Sequence, residues 1–362
     1  MAEKKLMKGN EAFAAAAINA GCRYYFGYPI TPQSEVPEYM SRELKKAGGA
    51  FIQAESELGA INMAYGASAA GGRVLITSSS PGIALMQESI GLLCSVELPV
   101  VIINVMRGGP GIGSIQPGQA DYNQVTRGGS NGDYHTIVLA PNSIQEAIDM
   151  IGKAFDLADE YRNPVIIAAD GMLGQMMEPV MMPEPKHALT EEEIPEVKPY
   201  ALTGHKNKRD RHAINSVWLK QELLENYINE YWPKYEKAER ELQDWESRNL
   251  EGAEIVFVAY GSTSRIAMEA MEMLADEGIK VGLIRPKTVS PWPYASFDKL
   301  DYSKVKAVLD VEMSIPAQLV LDVTLAVKDR CPVHTCLRSG GEIMSRDHVV
   351  AAAKAILDKE GA

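Results

Sequence analysis

Basic residues are in deficit in this 362-residue chain: 36 lysines and arginines stand against 48 aspartates and glutamates, a net charge of −12. Nucleic acid and anionic membrane surfaces are gripped through basic faces, so neither is an expected partner. Cysteine is scarce too. Cys22, Cys94, Cys331 and Cys336 are the four present, and no C-x2-C pair occurs, so neither an iron–sulfur cluster nor a structural zinc site is legible. The six histidines lie far apart, without metal-ligand spacing. No apolar run approaches the roughly 18 residues of a membrane span. The apolar run in "MAEKKLMKGNEAFAAAAINAG" is short and bracketed by Glu11 and Asn19. A first helix, with Asn10 as cap and Gly21 as stop, is expected there in place of a signal peptide. Repeats and low-complexity tracts are also lacking. These absences fit a cytoplasmic protein with reduced thiols.

What is present is an ordinary globular composition, 46% hydrophobic and 23% charged. Across 1–182, short apolar runs such as "RVLITSSS", "PVVIINVMR" and "PVIIAAD" alternate with helical patterns. In "NSIQEAIDMIGKAFDLADEY", Ile144, Ala147, Ile148, Ile151, Phe155 and Ala158 share one helix face. Uniformly apolar strands between helices predict a parallel sheet covered on both sides, an α/β domain. Residues 183–252 are expected to be a linker. "MMPEPKHALTEEEIPEVKP" carries four prolines and an acidic run, "GHKNKRDRH" (204–212) is a solvated basic stretch, and one or two amphipathic helices follow, broken at Pro233. Residues 253–362 resume the alternation as a second, smaller α/β unit.

In a parallel sheet, ligands bind beyond the carboxyl ends of the strands. Thr31, Glu55 or Glu57, and Arg107 come after three candidate strands and would rim one end of one sheet. Each also has a plainer reading: Thr31, before Pro32, as a helix cap; Glu55 or Glu57 as a helix-N-terminal acid; Arg107 as a surface residue. "GGPGIGS" (108–114) departs from G-x-G-x-x-G and reads as a mobile loop. "SSSPGIALMQE" (78–88) reads either as an anion-accepting helix start or as a tight helix contact. "AADGMLGQMMEP" (168–179) resembles in part the G-D-G…N magnesium–diphosphate motif of thiamine enzymes. Ala169 replaces its first glycine and the proline-rich linker occupies the place of its asparagine, so no metal site is assigned. The methionines of "MLGQMMEPVMM" are expected in the core, with a flexible pocket as the alternative.

Taken together, "GYPITPQSE", "QAESELGAINMAYGASAAG", "SSSPGIALMQE", "NVMRGGPGIG", "IQPGQADYNQ", "GGSNGDYH" and "DGMLGQMMEP" closely resemble the α subunits of the 2-oxoacid:ferredoxin oxidoreductases. The match covers most of 8–182. "IRPKTVSPWP" is similar to that family's transketolase-C-like domain, and "FGYPITPQSE" and "LGQMMEPV" look most like its branched-chain branch, which acts on 2-oxoisovalerate, with the 2-oxoglutarate branch close behind.

The resemblance implies a pyrimidine-type thiamine-diphosphate domain over 1–182 and a transketolase-C-like domain over 253–362. It implies oxidative decarboxylation of a 2-oxoacid to acyl-coenzyme A and carbon dioxide, with electrons passing to ferredoxin. It also implies a hetero-oligomer in which a β subunit carries the diphosphate and magnesium site and a ferredoxin-like subunit the iron–sulfur clusters. The chain alone would then be inactive. Carried over residue by residue, Glu57 matches the glutamate that bonds N1′ of the aminopyrimidine, with Glu55 as second choice. Thr31 and Arg107 match residues that contact the 2-oxoacid, where a guanidinium suits a carboxylate. The small residues after Glu57 imply close packing against another helix or a partner chain. A non-catalytic scaffold subunit is the competing class.

Overall fold

The computed structural model describes residues 4–205 and 209–360, so 206–208 of the basic stretch lie outside it. The first unit runs β1 (Lys5–Lys8), α1 (Gly9–Asn19), β2 (Tyr24–Gly27), α2 (Glu35–Glu43), β3 (Ala50–Gln53), α3 (Glu57–Ala69), β4 (Val74–Ser78), α4 (Ser80–Ser95) and β5 (Val101–Met106). It continues through α5 (Tyr122–Thr126), β6 (Ile137–Leu139), α6 (Ile144–Tyr161), β7 (Val165–Asp170), α7 (Gly171–Gln175) and β8 (Met177–Val180). Three short helices come next: α8 (Ile194–Val197), α9 (Gln221–Tyr231) and α10 (Pro233–Glu241), with Pro233 starting the last. The second unit comprises β9 (Trp245–Arg248), β10 (Ile255–Val258), α11 (Thr263–Asp276), β11 (Val281–Pro286), β12 (Thr288–Ser290), β13 (Ala307–Glu312), α12 (Val320–Val327), β14 (Val333–Leu337) and α13 (Arg346–Glu360).

The main sheet has the order β12-β6-β7-β5-β4-β2-β3 and the second sheet β14-β13-β10-β11-β9. Every residue of β4, β5 and β7 is buried, as expected of parallel strands covered by helices on both faces. All neighbouring pairs in the two sheets are parallel except those made by β12 and β9. Neither exception is legible in the sequence. β9 lies in the expected linker and pairs with β11. β12 leaves the second unit to pair with β6 of the first, Thr288 opposite Leu139. The units are further joined by Arg285, nearly buried, whose Nη1 and Nη2 each donate to Glu146 at 2.8 Å while its Nε donates to Glu246 at 2.9 Å. A fork of this kind fixes orientation as well as contributing energy.

The first helix forms where its alanines predict, buried from Ala12 to Ala17 and packed between α2 and α6. Gly21 lies just past its end at φ +86, the left-handed turn that favours glycine. Asn10, however, is not its cap. Lys8 holds that position, without a side-chain cap bond, and Asn10 is buried in the first turn. Its amide serves the turn around Pro32 instead. The methionines of 172–182 divide: Met176 and Met182 pack against the core, as expected, and the others do not. Met172, Met176 and Met182 are half-buried and Met177 and Met181 exposed. Met177 is exposed because β8 forms only a two-stranded ribbon with β1, too narrow to bury both faces. Among the described residues no helix is long and apolar enough to cross a membrane.

One buried pair has a measurable consequence. Asp310 and Glu312, two residues apart on β13, are both fully buried, and among the described residues no N–H donor reaches either carboxyl oxygen of Asp310. Burial, and then repulsion from Glu312, push the Asp310 carboxyl well above the carboxylate range. The folded chain therefore keeps a proton there that the unfolded chain releases near pH 4. Stability is full below that pH and falls as pH rises toward the folded value, by at most about 1.4 kcal/mol per pH unit for one group. Asp310→Asn is expected to flatten the decline in melting temperature between pH 5 and 8, with the larger gain at pH 8. An unchanged slope would show that Asp310 is not protonated in the fold.

Candidate functional site

Thr31 does not cap a helix. It is the second residue of a turn closed by Gln33 N to Ile30 O at 3.1 Å, and α2 starts only beyond that turn, at Glu35 behind Ser34. Polar side chains hold this turn. Asn10 Nδ2 donates to Pro32 O at 2.7 Å and to Glu35 Oε2 at 2.7 Å, and Gln175 Nε2 donates to Pro32 O at 2.8 Å. Beneath it, Thr77 donates to Gln33 Oε1 at 2.6 Å. Thr77's single hydrogen is thereby used, so Tyr25 must be the donor in its 2.8 Å contact with Thr77. These bonds all reach partners that lie far away in the chain. Thr31 itself stays exposed.

Arg107, at the end of β5, is 7% exposed. Its Nη1 donates to Thr31 O at 2.7 Å and its Nη2 to Ile112 O at 2.8 Å, while Nε is buried without a partner. Two of its five donors are committed to backbone, leaving three for a ligand. The link to Thr31 runs through the carbonyl of Thr31 rather than its hydroxyl. The glycine-rich segment after Arg107 is tied rather than loose: Gly108 N donates to Gln116 O at 2.9 Å and Ser114 N to Gly108 O at 2.8 Å. Gly113 sits at φ +56, where a Cβ would lie 2.0 Å from Gly108 O.

Glu57 opens α3 behind Ser56, whose hydroxyl accepts from Gly59 N at 3.1 Å. It is 5% exposed and accepts from Ser78 Oγ at 3.3 Å. Among the described residues no lysine or arginine forms an ion pair with it. A Cβ on Gly82 would lie 2.3 Å from Glu57 Oε1 and 2.0 Å from Ser78 Oγ. The small residues of "SSSPG" therefore clear space for this carboxylate at the start of α4, where the helix dipole favours negative charge. Glu55 precedes the helix and is exposed, beside Ser56 Oγ at 3.2 Å. A buried carboxyl with a hydroxyl partner and no cation can exchange a proton with a heteroaromatic nitrogen, so Glu57 fits an aminopyrimidine.

Ser80 joins the rim together. Its Oγ accepts from Arg107 N at 3.0 Å and donates to Asp121 Oδ2 at 2.6 Å, while its N donates to Asn104 Oδ1 at 3.1 Å. Asn104 in turn donates to Asp121 at 2.8 Å. Burial raises the Asp121 carboxyl, opposed by the bonds from Ser80 and Asn104 and by the charge of Arg107. Sequence reasoning misses Asn104 and Asp121, although an asparagine inside "VVIINVM" signals a buried polar partner. Thr31 and Arg107 are thus in contact, and Glu57 stands on the same sheet edge, bonded to the end of β4. Asp170 is differently employed: Oδ1 accepts from Met172 N at 3.0 Å and Leu173 N at 3.1 Å, and Oδ2 from Ser262 of the second unit.

Beside Thr31 lies a cleft of about 600 Å³. Thr31, Pro32 and Glu35 form one wall, Ile115 to Pro117 another, Met172 and Met176 a third, and Ile343 closes it from the second unit. No lysine or arginine lines it. Burial would raise the Glu35 carboxyl, but hydrogen bonds from Lys8 and Asn10 outweigh it and hold the group below its ordinary value.

Residues 15–249 match the family described as pyruvate flavodoxin/ferredoxin oxidoreductase, thiamine diphosphate-binding, and 253–349 match pyruvate:ferredoxin oxidoreductase core domain II. The chain is 45% identical to ketoisovalerate oxidoreductase subunit VorB of Methanothermobacter marburgensis, over 94% of each. It is 38% identical to 2-oxoglutarate synthase subunit KorA of Methanocaldococcus jannaschii, over 94% of this chain and 96% of that one. The solved 2-oxoglutarate:ferredoxin oxidoreductase from Magnetococcus marinus, with 2-oxoglutarate, coenzyme A and succinyl-CoA bound, superimposes with a TM-score of 0.84 at 26% identity, over 98% of this chain and 66% of that one. A split-gene transketolase shares the fold, with a TM-score of 0.59 at 16% identity, over 97% of this chain and 98% of that one.

Proposed function

The chain belongs to the 2-oxoacid:ferredoxin oxidoreductase family, and from that premise we propose that it serves the oxidative decarboxylation of 2-oxoisovalerate to an acyl-coenzyme A and carbon dioxide, with electrons delivered to ferredoxin. The observation that carries the substrate is the cleft beside Thr31. It presents Ile115, Ile343, Met172 and Met176 beside Ser34, Gln116 and Gln175, lacks a cation, and contains a single acid that is already partnered. A branched apolar side chain fits against these isoleucines and methionines, whereas the second carboxylate of 2-oxoglutarate would find no cation to pair with. The ketoisovalerate relatives support the same choice.

Each residue then has a role. Thiamine diphosphate, when bound, supplies the electron sink for breaking the bond between keto carbon and carboxylate. Glu57 would bond it at the aminopyrimidine and exchange a proton with the ring there. Arg107 offers its three remaining donors to the substrate carboxylate. Thr31 Oγ, exposed at the cleft, bonds the carboxylate or the keto oxygen. Four exposed apolar residues on the elements around Glu57 support a partner chain that completes the site: Ile52 on the edge strand β3, Leu58 and Met63 on α3, and Leu85 on α4. We assign to that β subunit the diphosphate and magnesium site, and to a ferredoxin-like subunit the iron–sulfur clusters. The four free cysteines support a cytoplasmic setting.

The assembled complex is expected to show a kcat/KM at least tenfold higher on 2-oxoisovalerate than on 2-oxoglutarate or pyruvate, about the discrimination that one apolar pocket provides, and the isolated chain no turnover. A preference for 2-oxoglutarate would overturn the substrate assignment, and turnover by the chain alone would overturn the shared site.

A further inference from the structure

The second unit reaches the cleft through one loop, which is packed unusually closely. Gly340 and Gly341 sit at φ +68 and +97, backbone conformations that favour glycine. A Cβ on Gly341 would lie 2.6 Å from Gln116 Cβ, and one on Gly108 2.8 Å from Gly340 C and Gly341 N. The loop therefore lies directly on the backbone of Gly108 and on the side chains of Gln116 and Ser114, with no room for a Cβ at Gly108 or Gly341. Two residues on, Ile343 projects into the cleft and remains 46% exposed there. Ile115, 58% exposed, and Met172 line the same cleft. An isoleucine half open to solvent contributes little to a core; held on so tight a contact, it makes a fixed wall.

We infer that Ile343, supplied by the second unit, is a specificity-determining residue that sets the length of the substrate side chain. This rests on the reading of Thr31 and Arg107 as the groups that hold the carboxylate end. The carboxylate is fixed at Arg107, and the side chain extends along the cleft until Ile343 and Met172 stop it. Shortening Ile343 lengthens the pocket, and the longer homologue gains apolar contact where the shorter one leaves a void. A single methylene in such a pocket discriminates by roughly 10–200-fold.

The test uses the reconstituted complex, with kcat/KM measured on 2-oxobutyrate, 2-oxoisovalerate and 4-methyl-2-oxopentanoate. Ile343→Ala is expected to shift the ratio of 4-methyl-2-oxopentanoate to 2-oxoisovalerate upward by about tenfold, and Ile343→Val by a smaller step in the same direction. Leu325→Ala, on the exposed face of α12, should leave the ratio unchanged. Ratios within about twofold of wild type in both Ile343 variants, well short of the change a methylene makes, overturn the inference while the substrate assignment stands. A wild-type complex that ignores all three homologues overturns both. If Ile343→Ala fails to assemble, the Ile343→Val ratio decides alone.

Discussion

Exchanging Glu57 for glutamine in the assembled complex is expected to lower kcat by about 10²–10⁴-fold, the range general acid–base groups contribute, with the KM for 2-oxoacid nearly unchanged. Glutamine matches the shape of glutamate. It fits beside Gly82, where a single added Cβ would collide with the Glu57 carboxylate at 2.3 Å, and its amide oxygen can accept from Ser78 as Glu57 Oε1 does. What it cannot do is carry a proton. Folding and assembly should therefore survive, shown by an unchanged melting temperature and co-elution with the partner subunits, while turnover falls. Glu55→Gln is the internal control. Glu55 lies outside the helix, exposed beside Ser56, and its loss should change the rate less than about threefold, far below the acid–base range. Near-normal turnover by Glu57→Gln would remove the catalytic role and favour the scaffold alternative.

The parts of this molecule that are legible in the sequence are those set by local chemistry. "VVIINVM" and "PVIIAAD" read as buried parallel strands because an unbroken apolar run leaves no face for water, and β5 and β7 lie there. Pro233 divides two helices because it cannot donate a backbone hydrogen bond to the turn before it. The rim of Thr31, Glu57 and Arg107 rests on the same reasoning, since a parallel sheet gathers at one edge the loops that leave the carboxyl ends of its strands. The features that escape a sequence reading depend on distant partners. β12 is three residues long, and its register against β6 is set by the docking of the second unit. Asn10 looks like a cap by residue type, yet its amide serves Pro32, 22 residues away. Met176 packs against the core as its composition suggests, yet with Met172 it also lines the cleft, which the sequence does not show. The Arg107 contact is the most instructive case: residue type points to the Thr31 hydroxyl, but the structure uses the carbonyl, which every residue has and no sequence can single out.

That carbonyl contact gives Arg107→Lys a large expected effect, a rise of about 100-fold in the KM for 2-oxoacid, or about 2.7 kcal/mol. In place, the guanidinium spans two backbone carbonyls, Thr31 O at 2.7 Å and Ile112 O at 2.8 Å, and so ties the Thr31 turn to the glycine-rich segment with one side chain. Its planar fork does this while keeping three donors free, whereas an ammonium has three donors in all and no fixed plane. Lysine must either leave a carbonyl unsatisfied in a buried place or turn away from the substrate. Losing hydrogen bonds to a charged group costs about 1.5–3 kcal/mol each, which spans the figure for a hundredfold loss. Arg107→Ala should raise KM further, and added guanidinium should restore part of the lost affinity, because the cavity left matches that ion. The distinguishing readout is KM against kcat. A change confined to kcat, with KM unmoved, would mean that Arg107 only shapes the loop, and that the substrate carboxylate is bound elsewhere.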